Sequence, residues 1–583
     1  MRQQYALRTQ TVMAVMLLVA FAIILQIVRI QNSAVTPIIG GRGDSNEYEL
    51  QTVFPDRGEI YDRNGHLLAG NKTVYEIGVD LKNVKYPEII AGAVSAELGM
   101  DYTKILGDIQ YPAEGISYVV IADFVDLQKA ARLQEKKKIL QTQAAEEGKY
   151  GGLTGLNFKP HPQRSYPENS LASNVIGFVN REGRGYFGIE EKYNNLLAGN
   201  PVQVLVPIDP NKASEITHVP NGTTLILTIN RDLQAAAEKI LDDALDEYGA
   251  KGGTIVIMDP QTGELLSIAS TPRMDLNNFW DYGAVYDNAS DFNPAISTPY
   301  EPGSVLKILT MAAALDNGTV TPGTTYLDTG SIFVSGAWIY NWDRRAWGVQ
   351  DMTGCLQHSL NVCMATISTA MQATPFYTYM SNFGLGHLTG VDLAGEAAGR
   401  LKTPGDSDWY PIDLGTNAFG QGVAATPIQI MAAASAIAND GRSVVPHALF
   451  AMVRDERQYN APAQFAGSPI SKETADTLSE MLANSLEFES SLALVDGYRI
   501  AGKTGTAQIP VNGFYDSTKT NASFIGCGPV DDPQFMIYVW LKEPSASIWG
   551  SETAAPVFAQ IAEKTIILLD IPPDAIRKQI VQK

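Results

Sequence analysis

Ser304-Val305-Leu306-Lys307 is the stretch from which the rest of the 583-residue chain is read. Ser359-Leu360-Asn361 and Lys503-Thr504-Gly505 follow it, and S-x-x-K, S-x-N and K-T-G each occur once, in that order. Residues three apart share a helix face, so Lys307 sets an amine beside the Ser304 hydroxyl. A serine nucleophile needs such a base when no histidine serves. Tyr300-Glu301-Pro302-Gly303 reads as the end of a loop, so Ser304 begins a helix, where the dipole and unpaired N–H groups favour negative charge. A serine there is ordinarily a cap. Lys307 changes that reading, because Val305, Leu306, Ile308 and Leu309 surround it with apolar neighbours that disfavour its charged form. A second cation at Lys503 lowers its proton affinity further, and a neutral amine can take the Ser304 proton.

Ser359 and Asn361 are two residues apart and can face one cleft only from a loop or turn. Taken alone, S-x-N is a common local turn. Beside Ser304, the Ser359 hydroxyl can relay a proton to a leaving amine, and the Asn361 amide can hold a substrate carbonyl or Lys307. Lys503-Thr504-Gly505-Thr506-Ala507 reads as an edge strand along a groove, able to pair with an extended peptide. Gly505 would let a substrate backbone approach closely. Lys503 with the Thr504 and Thr506 hydroxyls suits a terminal carboxylate. The N–H groups of Ser304 and Thr506 suit an oxyanion.

Outward from the motifs, strands bracket helices. Thr224–Ile229 reads as a strand, Asn230 as the cap of a helix to about Tyr248, and Gly253–Ser270 as a hairpin. Helices dominate from 304 to about 440, strands return between 499 and 541, and a last helix starts near Ala554. Strands at both ends with helices between predict one antiparallel sheet with helices on its faces. Upstream, Arg57 to Ala69 reads as a hairpin about Asn64-Gly65, and residues 86 to 148 as mainly helical, with Glu135-Lys136-Lys137-Lys138 a solvated face. Gly188 to Leu197 reads as a helix ended by Gly199. Residues 32 to 56 read as a linker, and Pro207, Pro210, Pro220 and Asn221-Gly222 mark a boundary.

Thr11 to Val28 is an 18-residue apolar run broken only by Gln26, with Arg2 and Arg8 before it and Arg29 after. It predicts a membrane-spanning helix with the short N-terminus in the cytoplasm. A cleaved signal peptide with a site near Ser33-Ala34 is the competing reading. Formal net charge is −20 and the sequence pI near 4.8, which argues against nucleic-acid partners. The six histidines form no ligand spacing, so neither a metal nor a cofactor is expected. Cys355, Cys363 and Cys527 are odd in number and sparse, and are expected to be buried small apolar residues and not a disulfide framework. Gly420-Gln421-Gly422-Val423-Ala424-Ala425 fits G-x-G-x-x-A on paper, but lacks the strand and acidic residue of a nucleotide fingerprint.

With these residues in place, the chain resembles the class B penicillin-binding proteins, monofunctional peptidoglycan D,D-transpeptidases. Arg57-Gly58-Glu59-Ile60-Tyr61-Asp62-Arg63-Asn64-Gly65, Arg164-Ser165-Tyr166-Pro167 and Gly188-Ile189-Glu190 resemble motifs of that family's pedestal module. Ala418-Phe419-Gly420-Gln421-Gly422, Lys503 to Ala507 and Ala554-Ala555-Pro556-Val557-Phe558 resemble segments of its transpeptidase module. Gly177-Phe178-Val179-Asn180 to Gly188-Ile189-Glu190 is most like the cell-division subfamily, and no glycosyltransferase region is seen before the pedestal. Leu360 and Leu306 are mild departures.

The resemblance implies an α+β protein: a cytoplasmic tail and transmembrane anchor over 1–31, an elongated pedestal or dimerisation-type domain over 32–215, a transpeptidase domain over 216–568 with a central antiparallel sheet flanked by helices, and a tail over 569–583. It implies a single-pass protein of the bacterial cytoplasmic membrane with its catalytic domain outside. Ser304 would attack the penultimate D-Ala carbonyl of a stem peptide, and an amine of a neighbouring strand would resolve the acyl-enzyme. Lys307, Ser359, Asn361 and Lys503 would be catalytic, and Thr504, Gly505 and Thr506 would bind substrate. β-Lactams would acylate Ser304. The expected partners are a membrane-embedded glycan polymerase and other division or elongation proteins, with a role in septal wall synthesis. A β-lactam-sensing scaffold and a D,D-carboxypeptidase or β-lactamase are the alternatives.

Overall fold

A computed structural model describes residues 13, 16–26, 28–29, 48–53, 55–146, 152–207, 219–488, 491–511 and 514–581. The predicted linker over 32–47 and the boundary residues 208–218 lie outside the described residues. The chain divides into two compact units, Met1–Pro55 with Asn200–Pro220, and Asp56–Gly199 with Asn221–Lys583. In the first, Tyr48–Val53 pairs antiparallel with Val202–Pro207. Residues 16–26 are helical and expose their apolar side chains, Met16, Leu17, Leu18 and Phe21 among them. Among the described residues no helix is long and apolar enough to cross a membrane; positions 11, 12, 14, 15 and 27 of the predicted span lie outside them.

The second unit holds a five-stranded antiparallel sheet of β1 (Gly252–Met258), β2 (Leu265–Ser270), β3 (Ala501–Val511), β4 (Phe514–Gly528) and β5 (Phe535–Lys542), in the order β2-β1-β5-β4-β3. Side chains alternate across a strand, and this sheet is covered on both faces. Ile255, Ile257, Ile537 and Val539 enter one core with α1 (Arg231–Tyr248) and α2 (Ala554–Leu568). Val256, Met258, Tyr538 and Trp540 enter a larger core with α3 (Lys307–Asp316), α4 (Pro427–Ala438) and α5 (Lys472–Phe488). That is the sheet flanked by helices that strands at both ends with helices between predict. Asn230 caps α1 as read, its side chain accepting from the N–H groups of Asp232 and Leu233.

A second sheet joins segments far apart in sequence. Thr224–Leu227 pairs parallel with Ile60–Tyr61 and antiparallel with Leu449–Arg454, and Ile60–Tyr61 continues to Leu67–Asp80. The Asn64-Gly65 turn forms as expected: buried Asp62 accepts from the N–H groups of Asn64 and His66, and Gly65 takes φ +87°. Asp62 also accepts from the Arg231 N–H at 3.0 Å, fastening the hairpin to the start of α1.

The three N-terminal motifs converge on one buried carboxylate. Glu190, fully buried, accepts from the Arg57 Nε at 2.7 Å and from the Arg164 Nε at 2.7 Å, with the Tyr166 hydroxyl at 3.5 Å. A buried ion triad of this kind adds little net stability, but removing one partner strands the others without water.

Residues 86–146 are mainly helical, as read, with one strand among them, Tyr118–Asp126, paired with Leu67–Asp80 as its run of β-branched and aromatic residues favours. Two sequence readings need correction. Lys137 is not simply solvated, since its ammonium donates to the Leu156 carbonyl at 2.7 Å. Cys355 and Cys363 are disulfide-bonded, with Cα atoms 6.1 Å apart. An eight-residue separation on one continuous helix would prevent that. The helix instead breaks between α6 (Met352–Gln357) and α7 (Asn361–Met371), where Ser359 takes φ +52° and the chain turns back. Cys527 is free and buried, as expected.

Candidate active site

Ser304 lies in a 3-10 turn, Gly303–Leu306, that runs without interruption into α3. Ser304 is therefore followed, one turn later, by Lys307 as the first residue of α3. Its N–H is in the first turn, where no intrahelical acceptor exists. Two glycines make the turn possible. Gly303 takes φ +59° and donates its N–H to the Gly420 carbonyl at 3.2 Å. Gly420 takes φ +84°, and a Cβ there would lie 2.2 Å from the Gly303 oxygen.

Lys307 is fully buried and its amine is fully employed. It donates to the Ser359 carbonyl at 2.5 Å and to the Asn361 Oδ1 at 2.7 Å, and lies 3.1 Å from the Ser359 Oγ. The Asn361 Nδ2 donates to the Tyr340 carbonyl at 3.2 Å, which orients the amide so that its oxygen faces the lysine. Two of the three contacts must therefore accept protons, while the Ser359 hydroxyl can either accept or donate. A neutral amine, with two N–H groups and a lone pair, matches that set. Burial lowers the Lys307 pKa well below the ordinary lysine range, and repulsion from the Lys503 ammonium lowers it further.

β3 is the edge of its sheet, as the sequence predicts. Thr504 and Thr506, half-buried, alternate with Lys503 and Gly505, which are buried. The Lys503 ammonium donates to the Thr504 Oγ1 at 3.2 Å, and the Thr506 Oγ1 accepts from the Gly550 N–H at 3.0 Å. Gly505 has an internal reason for lacking a side chain. A Cβ there would fall 2.2 Å from the Ser523 Oγ and 2.9 Å from a Val305 methyl, so the glycine lets the Ser304 turn pack on the strand.

Ser304, Ser359, Asn361, Thr504 and Thr506 line one cavity of about 580 Å³. Lys307 sits beneath it, bonded to two of its walls. The motifs, separated by up to two hundred residues, thus meet at one place.

Sequence reasoning missed the aromatic wall of this cavity and what holds it. Trp342, Trp347 and Trp549 line it, and the Trp342 and Trp549 rings meet edge-on at 5.2 Å. Trp342 donates through Nε1 to the His358 carbonyl at 3.1 Å, and Trp347 stacks on the His358 ring at 4.0 Å. Burial lowers the His358 pKa, so its ring is held neutral against the indole. Asp328, buried, accepts from the Tyr326 hydroxyl, the Asn341 Nδ2 and the Trp347 N–H, each at 2.8 Å. The Asn341 Oδ1 then accepts from the Val362 N–H at the start of α7. One carboxylate therefore ties the tryptophan loop to the turn that grips Lys307. The only local sign was the spacing of tryptophans over 338–347.

Comparison with known proteins completes the picture. The family description "Penicillin binding protein transpeptidase domain" matches residues 253–563, and "Penicillin-binding Protein dimerisation domain" matches residues 52–222. Stage V sporulation protein D of Bacillus subtilis is 32% identical over 549 residues, covering 91% of this chain and 80% of that protein. The chain belongs to the class B penicillin-binding proteins. A relative from Neisseria meningitidis serogroup A named "Probable peptidoglycan D,D-transpeptidase PenA" is 29% identical, covering 91% of this chain and 88% of that protein. The crystal structure of penicillin binding protein 3 from Mycobacterium tuberculosis with aztreonam superposes with TM-score 0.68 at 26% identity, over 90% of this chain and 98% of that one. Penicillin binding protein 2X from Streptococcus thermophilus, 23% identical, shares the fold with TM-score 0.72, over 89% of this chain and 80% of that one.

Proposed function

We propose that this class B penicillin-binding protein is a peptidoglycan D,D-transpeptidase with Ser304 as its nucleophile. The observation that carries the assignment is the buried, depressed amine of Lys307, one turn below Ser304 and gripped by Ser359 and Asn361. Neutral Lys307 takes the Ser304 proton as Oγ attacks the penultimate D-Ala carbonyl. The N–H groups of Ser304 and Thr506 receive the oxyanion. Ser359 passes the proton to the departing D-Ala amine, and the ester on Ser304 remains. Lys503, Thr504 and Thr506 hold the terminal carboxylate of the donor. β-Lactams enter the same cavity and acylate the same oxygen.

The 18-residue apolar run over Thr11 to Val28 supports a membrane anchor, with residues 32–215 as pedestal, 216–568 as the transpeptidase domain and 569–583 as a tail outside the membrane. Arg577 in that tail donates to Asp574 at 2.9 Å and pairs with Asp531. The segment from Gly177 to Glu190 supports a role in septal wall synthesis, with a glycan polymerase and other division proteins as partners. Depletion in the native host should give filaments; rounded cells would place the enzyme in the side wall. For the chemistry, the full-length protein should release D-Ala from a stem peptide ending in D-Ala-D-Ala, and Ser304→Ala should release none. Undiminished release by the variant would defeat the assignment.

A further inference from the structure

A transpeptidase must admit a second substrate, and the first cavity does not end at its tryptophans. A second cavity of about 430 Å³ adjoins it and shares Trp342, Asn361, Phe419, Gln421, Thr506 and Trp549 with it. Beyond that shared border its walls include Trp338, Tyr340, Arg344, Gln508 and Tyr515. We infer that this second cavity seats the acceptor: a peptide carrying a primary amine with a carboxylate close by.

The inference rests on the Ser304 reading above and adds where the resolving amine comes from. The border residues Asn361 and Thr506 also line the first cavity with Ser304, so a chain lying in the second abuts the walls that surround the nucleophile. The charge is selective. In a chain of net charge −20, the second cavity contains one cation, Arg344, and no acidic side chain. Arg344 lies over the Tyr340 ring, 4.9 Å from its centroid, and its side chain makes no ion pair among the described residues. A guanidinium is the group best suited to a carboxylate. Exposed faces of Trp338 and Tyr340 offer flat apolar walls for the peptide stem.

The loop that carries Arg344 is preset and not adaptive. Arg344 takes φ +58°, a conformation L residues seldom hold unless their surroundings impose it. Here its N–H donates to the Asn341 carbonyl, and Asn341 is itself fixed by Asp328. In the step so served, the amine nitrogen bonds to the ester carbonyl carbon and the C–Oγ bond to Ser304 breaks. The amine proton passes to Lys307 and returns to the Ser304 oxygen, leaving a new amide and free enzyme.

The test uses full-length protein in detergent, a thioester analogue of the donor, and two acceptor probes: a stem peptide with a free side-chain amine and a carboxylate, and the same peptide amidated. Two rates are read, acylation by a fluorescent penicillin and the partition of the acyl-enzyme between aminolysis and hydrolysis. Arg344→Ala should leave penicillin acylation as in the wild type and lower aminolysis by the carboxylate acceptor about 5- to 10-fold, with little change for the amidated one. Trp338→Ala should lower aminolysis by both. Unchanged partition in both variants overturns the inference. So does loss of penicillin acylation in Arg344→Ala, which would assign the arginine to the donor. A wild-type protein that no penicillin acylates defeats the Ser304 reading itself, a distinct outcome.

Discussion

Replacing Asn361 by alanine separates the two duties of its side chain, because it holds Lys307 in place and also supports the charged form. The Asn361 oxygen is one of two groups that must accept from the Lys307 amine, and its nitrogen ties the turn to the Tyr340 carbonyl. Losing a hydrogen bond to a charged or strongly polar group costs about 1.5–3 kcal/mol when the partner stays buried. If that loss falls on the acylation transition state, the plateau rate drops about 10- to 150-fold. The direction of the pH shift is independent of that loss. An acceptor stabilises an ammonium more than an amine, so removing it lowers the Lys307 pKa further. The midpoint of acylation against pH should therefore move down while the plateau falls. Asn361→Asp reverses the sign: a carboxylate beside the amine raises its pKa, and the midpoint moves up. Stopped-flow acylation by a fluorescent penicillin across alkaline and neutral pH reads both quantities. An unchanged plateau in Asn361→Ala, or midpoints that move together in the two variants, would refute the reasoning.

Three further outcomes follow from the same geometry. Lys503→Gln removes the like charge that depresses Lys307, so the acylation midpoint should move to higher pH; a midpoint that stays put would show that burial alone sets it. Gly420→Ala forces a side chain onto φ +84° and against the Gly303 oxygen. Backbone strain alone costs about 1–2 kcal/mol, so Tm should fall and acylation slow, whereas an unaltered Tm would mean the turn relaxes freely. Replacing Cys355 and Cys363 by serine opens an eight-residue closure around the Ser359 turn. Chain-entropy bookkeeping sets the loss at about 2.5 kcal/mol, readable by denaturant melting of the variant against the oxidised wild type, with the reduced wild type expected to match the variant.

Much of this arrangement was legible in the residues because the signals are local. Asn230 caps α1, Asn64-Gly65 turns the first hairpin, and the run from Lys503 to Ala507 ends up at a sheet edge. The Ser304–Lys307 pair needs only helical spacing. What stayed hidden depends on where the chain breaks. Cys355 and Cys363 read as sparse buried residues with no partner until the turn at Ser359, φ +52°, brings them together. Asp328 resembles any acidic residue of a short strand, yet three donors from separate positions of the tryptophan loop meet on it. Gly505 was read as room for substrate, although the atoms that fill its side-chain space come from Ser523 and Val305. Partners brought together from distant segments leave no periodicity to read.

The most direct test is mass spectrometry of the full-length protein after brief exposure to benzylpenicillin. One penicilloyl group should appear per chain, carried by the peptide that contains Ser304, and none should appear on Ser304→Ala. A penicilloyl group on any other residue, or one that persists in Ser304→Ala, would contradict the assignment of Ser304 as the acylated oxygen.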